Sequence, residues 1–183
     1  LLSLPNNSIP QKIFIYPIAK WQSISYSYSS MNCQFFPSCS NYGAQAIHKK
    51  GVISGLAIAS DRIIRCNHTA YNVHNEMGGT FYKDGRLIDQ VNYTVLNESK
   101  KSPLIAAGLS MAVPGLGRAY AGRPKDAAFG FLMSALAINA GLKSIRKESF
   151  LAPIYIGIAL TFYSGEVYGA YRTAKYYQPK TKE

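Results

Sequence analysis

The apolar and polar positions of this 183-residue chain divide it into a mixed first half and a second half built around long apolar stretches. Residues 10–31 and 33–68 carry apolar residues at helical spacing, and residues 67–99 are polar and rich in Asn, Gly and Tyr. Beyond Ser102 come three apolar stretches: "PLIAAGLSMAVPGLG", "AAFGFLMSALAINAGL" at Ala127–Leu142, and "FLAPIYIGIALTFYSGEVYGAY" at Phe150–Tyr171. The pattern predicts a mainly α protein with a small helical-hairpin domain (10–99), which carries an irregular or β-hairpin extension. A membrane domain (103–177), a transmembrane helical hairpin, follows.

Residues 10–31 have the pattern of a short amphipathic helix with an aromatic and basic fringe. The apolar positions are Ile13, Phe14, Pro17, Ile18, Trp21 and Ile24, with Lys12 and Lys20 beside them. Two placements fit this pattern, one on a membrane surface and one packed on the helix's own domain. The serine-rich Ser23–Ser30 is predicted to be a loop.

A pair of short helices is predicted on either side of Gly51. Ser40 is the expected N-cap of the first helix, which runs through Lys49 to a stop at Gly51. In the second helix one apolar stripe is expected to face inward: Ile53, Leu56, Ala57, Ser60, Ile63 and Ile64. Arg62 and Arg65 lie off that stripe, and Asp61 is placed to pair with Arg65. The D-G turn in "FYKDGRLIDQV" predicts a small β-hairpin.

The apolar stretches after Ser102 differ in length. A membrane crossing takes roughly 20 apolar residues, so Phe150–Tyr171 is long enough and Ala127–Leu142 is marginal. Together they predict a hairpin that turns at Lys143–Glu148. The first stretch is broken by Pro114-Gly115, which favours a half-crossing or an interfacial helix. The alternative for all three is the buried core of a soluble domain.

Two features of the last stretch bear on helix packing. Gly165 and Gly169 form a GxxxG pair, which favours close helix contact either inside the hairpin or in a dimer. Glu166 is the single acid of Phe150–Tyr171 and is expected to reach an interface or to pair with a lysine.

Positive charge is concentrated in the apolar half. Of the net charge of +11, +3 belongs to residues 1–99 and +8 to residues 100–183. This combination favours a membrane flanked by cations over a nucleic-acid surface. Cations are more numerous at the two ends of the predicted hairpin than at its turn, so both ends are expected in the cytoplasm.

The chemistry of the chain lies in its cysteines. The sequence lacks the phosphate-loop, HExxH, GxSxG and dinucleotide motifs, so we expect neither an enzyme nor a cofactor. Cys33, Cys39 and Cys66, with His68, make a set that zinc accepts. Two alternatives remain open: a disulfide in an oxidising compartment, and small buried thiols in a reducing one.

The segment "NCQFFPSCSNYGAQAIHKKG", followed by "DRIIRC", resembles the membrane protein insertion efficiency factor family, YidD. The resemblance covers residues 20–68. It is carried by Cys33, Phe35, Pro37, Cys39, Ser40, Tyr42, Ala46, Ile47, Gly51, Arg62, Arg65 and Cys66. The family's usual His after the third Cys is replaced by Asn67. A shorter resemblance links "AVPGLGRAYAG" to two-helix membrane modules of unknown role.

The resemblance implies a non-enzymatic bacterial inner-membrane factor that assists insertion of proteins into the membrane. The implied partners are membrane lipid, the membrane insertase and nascent membrane proteins, without nucleic acid. We expect docking on an apolar edge of Phe35, Phe36 and Tyr42 and a basic edge of Arg62 and Arg65. The alternative function is a zinc-binding or disulfide-containing module outside the cytoplasm, with a structural or interaction role.

Overall fold

The computed structural model describes residues 7–27, 33–91 and 101–177, and in these the chain is mainly helical, as predicted. In chain order the elements are α1 (Ile9–Ser25), β1 (Phe35–Phe36), α2 (Cys39–Lys50), α3 (Val52–Arg65), α4 (Ala70–Glu76), β2 (Leu87–Ile88), α5 (Pro103–Ala112), α6 (Leu116–Tyr120), α7 (Pro124–Arg146) and α8 (Ala152–Tyr176). We call residues 7–91 the N-terminal unit and residues 101–177 the C-terminal helices.

Helix α1 lies on the end of α2. The Gln11 side-chain amide donates to the main-chain carbonyls of Ile47 (2.8 Å) and His48 (3.0 Å), and Ile15 is buried against Ala44 and Ile47. The helix continues through Ser25, so the loop predicted to begin at Ser23 starts later. Its last residues, 28–30, lie outside the described part of the chain.

Helices α2 and α3 form the predicted hairpin, with one correction at its start. The N-cap is Ser38, whose hydroxyl accepts from the Asn41 N–H, and Ser40 already lies inside the helix. Gly51 ends α2 in the left-handed region, at φ +79°. Gly55 brings the two helices together, because a Cβ there would lie 2.5 Å from Cα of Ile47.

The inward face of α3 differs from the predicted apolar stripe. Ile53 is 85% exposed and Ile63 42% exposed. Ser60 and Ile64 of the stripe are buried as predicted, but the buried face also carries the charged Asp61, Arg62 and Arg65. The reason is that α8 packs against this polar face, and its charged groups find partners there.

The two-stranded sheet is very small. β1 and β2 are parallel, with Phe35 opposite Leu87 and Phe36 opposite Ile88. An antiparallel bridge joins Phe81 to Leu87. The chain turns at Gly85 (φ +85°), so the predicted hairpin is reduced to this bridge.

The C-terminal helices fold back on one another. Ala106 of α5 packs on Ala170 and Ala174 of α8. After the Pro114-Gly115 break, α7 and α8 run side by side. Within the described residues, one helix is long and apolar enough to cross a membrane, and it is α7.

The prediction that Phe150–Tyr171 is the better crossing segment is therefore wrong. The second half of α8 is buried at Gly165, Glu166, Gly169, Ala170, Thr173 and Ala174. This half carries charged side chains and packs on α3 of the N-terminal unit. Only the first half of α8 belongs to the apolar hairpin.

Candidate functional site

Arg62 lies at the centre of the N-terminal unit. Its guanidinium is 4.1 Å from the ring centroid of Phe35 and 4.3 Å from that of Tyr42. It donates to the carbonyls of Asp89 (2.8 Å) and Pro37 (3.1 Å). Arg62 is 0% exposed, so a planar cation that stacks and donates at the same time holds β1, α2 and α3 together.

Arg65 joins two carboxylates one turn further along α3. Its Nε donates to Asp61 at 2.9 Å, which confirms the predicted i,i+4 pair, and its Nη1 donates to Asp89 at 2.7 Å. All three side chains are buried. Asp89 follows β2 directly, so this pair fixes the end of the sheet on α3.

The C-terminal helices complete the same network. Arg118 of α6 donates to Asp61 (2.7 Å) and to Glu166 of α8 (2.8 Å). Arg172 of α8 reaches Asp61 at 3.6 Å and Asp89 at 3.3 Å. Glu166 therefore pairs with a buried arginine, where the sequence predicted an interface or a lysine.

The GxxxG pair makes this contact close enough for ion pairing. A Cβ on Gly165 would lie 1.8 Å from Oγ of Ser60, and one on Gly169 would lie 1.8 Å from Nη2 of Arg118. The Ser60 hydroxyl donates to the Thr161 carbonyl at 2.8 Å. The glycines thus pack α8 on α3, a third arrangement besides the hairpin and the dimer that the motif suggested.

Protonation is strongly biased in this network. Burial by itself would raise the pKa of Asp61, but Arg65, Arg118 and Arg172 hold it well below its usual value. The pKa of Asp89 is likewise lowered, against burial, by Arg65, Arg172 and Arg62. Both carboxylates are therefore charged at neutral pH and serve as fixed anions for the arginines.

The three cysteines form a second cluster beside the network. Cys33 precedes β1, Cys39 begins α2 and Cys66 caps α3, and their sulfurs all lie within 4.8 Å of one another. The Sγ atoms of Cys33 and Cys39 are 3.5 Å apart. The thiols are free and half-buried, and they pack on Phe35, Ala70 and Leu87.

These thiols affect one another's protonation. The contacts with Cys39 and then with Cys66 lower the pKa of Cys33, and the contact with Cys33 raises the pKa of both Cys39 and Cys66. The zinc prediction required His68 to lie in the cluster, but His68 is exposed and lies outside it. The amide of Asn67 is engaged elsewhere, because it donates to Asp126 of α7 at 2.7 Å.

Most residues predicted to form docking edges are buried. Phe35 is 3% exposed, Tyr42 2% and Arg65 8%, and Arg62 is fully enclosed, so neither predicted edge can receive a partner. Phe36 is half-buried and stacks on Tyr82 at 4.0 Å. The motif residues organise the inside of the unit.

Asp89, Arg118, Glu166 and Arg172 were not recognised as network residues from the sequence. The signal that could have identified two of them is isolation: Arg118 and Glu166 are charges within apolar stretches, where a charge needs a partner. Pairing also changes the topology argument. Arg118, Arg123 and Arg172 counted as flanking cations, but each is held in an ion pair.

Exposed apolar side chains cover the hairpin of α7 and the first half of α8. We call this surface the apolar belt: Phe131, Leu132, Leu136, Leu142, Ile145, Phe150, Leu151, Ile154, Ile158 and Leu160, each at least 43% exposed. Between α7 and α8 an apolar groove is lined by Ile138, Leu142, Ile156 and Leu160, among others. Exposed patches of this extent mark a surface that contacts lipid or another protein.

Comparison with known proteins places the N-terminal unit in a family. A family model described as "Putative membrane protein insertion efficiency factor" (YidD) matches residues 10–77. A protein of that name from Colwellia psychrerythraea is 47% identical over 62 residues, which are 34% of this chain and 76% of the relative. One from Oleidesulfovibrio alaskensis is 31% identical over 78 residues, 43% of this chain and 91% of the relative.

These matches fall on the unit that holds the thiols and most of the ion network. No solved structure matches the chain. The matched residues, 10–77, include residues 20–68, which carry the resemblance noted in the sequence. The chain belongs to the membrane protein insertion efficiency factor family, YidD.

Proposed function

We propose that the chain is a non-enzymatic accessory factor that helps proteins insert into the bacterial inner membrane, held there by its own C-terminal helices. The relatives' shared name supports the role. The observation that carries the tether is the apolar belt. Its proposed partners are membrane lipid, the membrane insertase and nascent membrane proteins, and we propose no contact with nucleic acid.

The dimensions and charge of the hairpin support lipid as the occupant of the belt. Residues 127–142 contain no charged residue, and as helix they span about 24 Å, against about 30 Å for the bilayer hydrocarbon. Lys143, Arg146 and Lys147 are exposed at the turn. Long cationic side chains extend to the interface and offset the remaining mismatch.

The outward face of α1 supports contact with the bilayer surface. Ile9, Ile13, Tyr16 and Ile24 are exposed by 55% to 76% on the face opposite Ile15. Lys20 lies among them in helical register. An apolar helix face with an aromatic and a cation suits the boundary between headgroups and acyl chains. This face replaces the buried edges as the contact surface that we propose.

An insertion assay tests the proposal. In a strain lacking every family member, we expect a pulse-labelled test membrane protein to become protease-protected more slowly, and the wild-type chain to restore the rate. The double variant L136E/I158E, which charges the belt, should not restore it at equal protein level. The matched control I53E charges an equally apolar but 85% exposed site on α3 and should restore it.

Two results would count against the proposal. Unchanged protection kinetics in the strain without the family would remove the insertion role. Full rescue by the belt variant would remove the tether while leaving the role intact.

We also propose that the N-terminal unit faces the cytoplasm. Lys12, Lys20, Lys49 and Lys50 are exposed on this unit, and exposed cations favour the cytoplasmic side. A fluorescent protein that matures only in the cytoplasm, fused after the last residue, should be bright. The opposite orientation would follow if the fluorescent fusion is dark and a phosphatase that works only in the periplasm is active when fused at the same point.

A further inference from the structure

We infer that Cys33, Cys39 and Cys66 form a three-thiolate site for zinc, with a fourth coordination position open to water. The inference concerns a site that the insertion role does not use. It therefore stands or falls separately from the proposed function.

The sulfur spacing suits a single metal ion. Zinc–sulfur bonds of about 2.3 Å at tetrahedral angles place sulfurs roughly 3.8 Å apart. Here Cys33 and Cys39 are 3.5 Å apart, and all three sulfurs lie within 4.8 Å of one another. These spacings lie within about 1 Å of the tetrahedral value.

Two neighbouring groups can stabilise the thiolates once a metal ion displaces their protons. Cys39 is the first residue of the 12-residue helix α2, where the helix dipole stabilises a thiolate. The Gln34 amide donates to Sγ of Cys66 at 3.4 Å. A site that combines three sulfur ligands with nearby hydrogen-bond donors suits a soft divalent ion.

The origin of the ligands gives the metal a structural effect. The three sulfurs come from the entry to β1, the start of α2 and the end of α3, so one ion would tie three elements together. Because all three are half-buried, solvent can supply the fourth ligand. His68 is not needed, and its exposure leaves it free of the site.

The test uses the full chain in detergent, reduced and stripped with a chelator under anaerobic conditions. Titration with cobalt(II) should produce a sulfur-to-cobalt charge-transfer band and tetrahedral d–d bands that reach their maximum at one cobalt per chain. Added zinc should displace the cobalt and remove these bands. Zinc should also slow alkylation of all three thiols of the wild-type chain, read by mass spectrometry. Changing a residue that hydrogen-bonds to a metal ligand weakens metal binding about 10–100-fold. C33S, C39S and C66S each remove a ligand itself and should weaken cobalt binding by more than this.

H68A is the matched control and should bind cobalt like the wild type. Absence of the charge-transfer band, or its persistence in any cysteine variant, would overturn the inference, as would loss of the band in H68A. A Cys33–Cys39 disulfide in protein isolated without oxidant would also overturn it. The alkylation experiment decides the matter if the serine variants do not fold, because it needs only the wild-type chain.

Discussion

The N-terminal unit and the C-terminal helices arrange their side chains in opposite ways. The N-terminal unit packs aromatic rings, a thiol cluster and its motif arginines inside, and exposes its lysines. The hairpin of α7 and α8 exposes leucine, isoleucine and phenylalanine. The C-terminal helices enclose Arg118 and Glu166, each 0% exposed. The difference is what the proposed tether requires: a unit with its charged and aromatic motif residues inside, and a hairpin with its apolar side chains outside.

The contact between these regions belongs to neither pattern. It is polar and buried, with Asp61 and Asp89 shared by arginines from both sides. Removing one partner from a buried ion pair lowers the free energy of unfolding by more than the intact pair raises it, because the remaining charge is buried without a partner or water. We therefore expect the two regions to unfold together.

The largest effect is expected from D61N, which removes the anion that pairs with Arg65, Arg118 and Arg172. The free energy of unfolding in detergent should fall by about 3–5 kcal/mol. The matched control D84N changes an exposed pair with Arg86 and should leave stability unchanged. Equal stability of both variants would show that the regions are not coupled through Asp61.

Acid should produce the next largest loss. The folded-state pKa values of Asp61 and Asp89 are depressed below the unfolded value of about 3.9. Their contribution is therefore complete above about pH 5 and declines as the pH falls toward the folded pKa values, by on the order of 1 kcal/mol per carboxylate at pH 3. Denaturant unfolding from pH 7 to pH 3 measures this, and D89N should show a shallower slope. A pH-independent stability would contradict the ion network.

Two glycines of α8 distinguish its half that packs on α3 from its half in the apolar belt. G169A places a methyl group against Arg118 and Asp61 and should cost about 1–3 kcal/mol. G157A meets nothing within 4 Å and should be neutral or stabilising by about 0.5–1 kcal/mol. The reverse order, measured by thermal unfolding, would mean that α8 packs through its other half.

The smallest effect is expected on the outward face of α1. Ile13 is 63% exposed, so I13S should change stability by less than about 0.5 kcal/mol. It should nevertheless weaken association of α1 with vesicles of anionic lipid, read from Trp21 fluorescence. An unchanged Trp21 signal on adding vesicles to the wild-type chain would remove α1 from the membrane surface.

The sequence was a good guide where the determinants are local. Gly51 ended α2 because the cap needs a positive φ, and Asp61 paired with Arg65 because they are one turn apart. The motif also brought the three cysteines together. Ser38, not Ser40, is the N-cap, since propensity does not distinguish two serines that lie two residues apart.

The sequence was a poor guide where a distant partner decides. Apolar periodicity placed Ser60 and Ile64 correctly but left out Asp61, Arg62 and Arg65, which are buried because they meet charged partners far along the chain, such as Arg118. The same partner explains why Phe150–Tyr171 is not a simple crossing segment. Hydropathy could not show that half of α8 packs on the N-terminal unit.

The central claim is that the C-terminal helices hold a folded family unit at the membrane through the apolar belt. Washing isolated membranes with alkaline carbonate tests it most directly. We predict that the wild-type chain stays in the membrane pellet and is released only by detergent. Recovery of the chain in the supernatant without detergent would contradict the account.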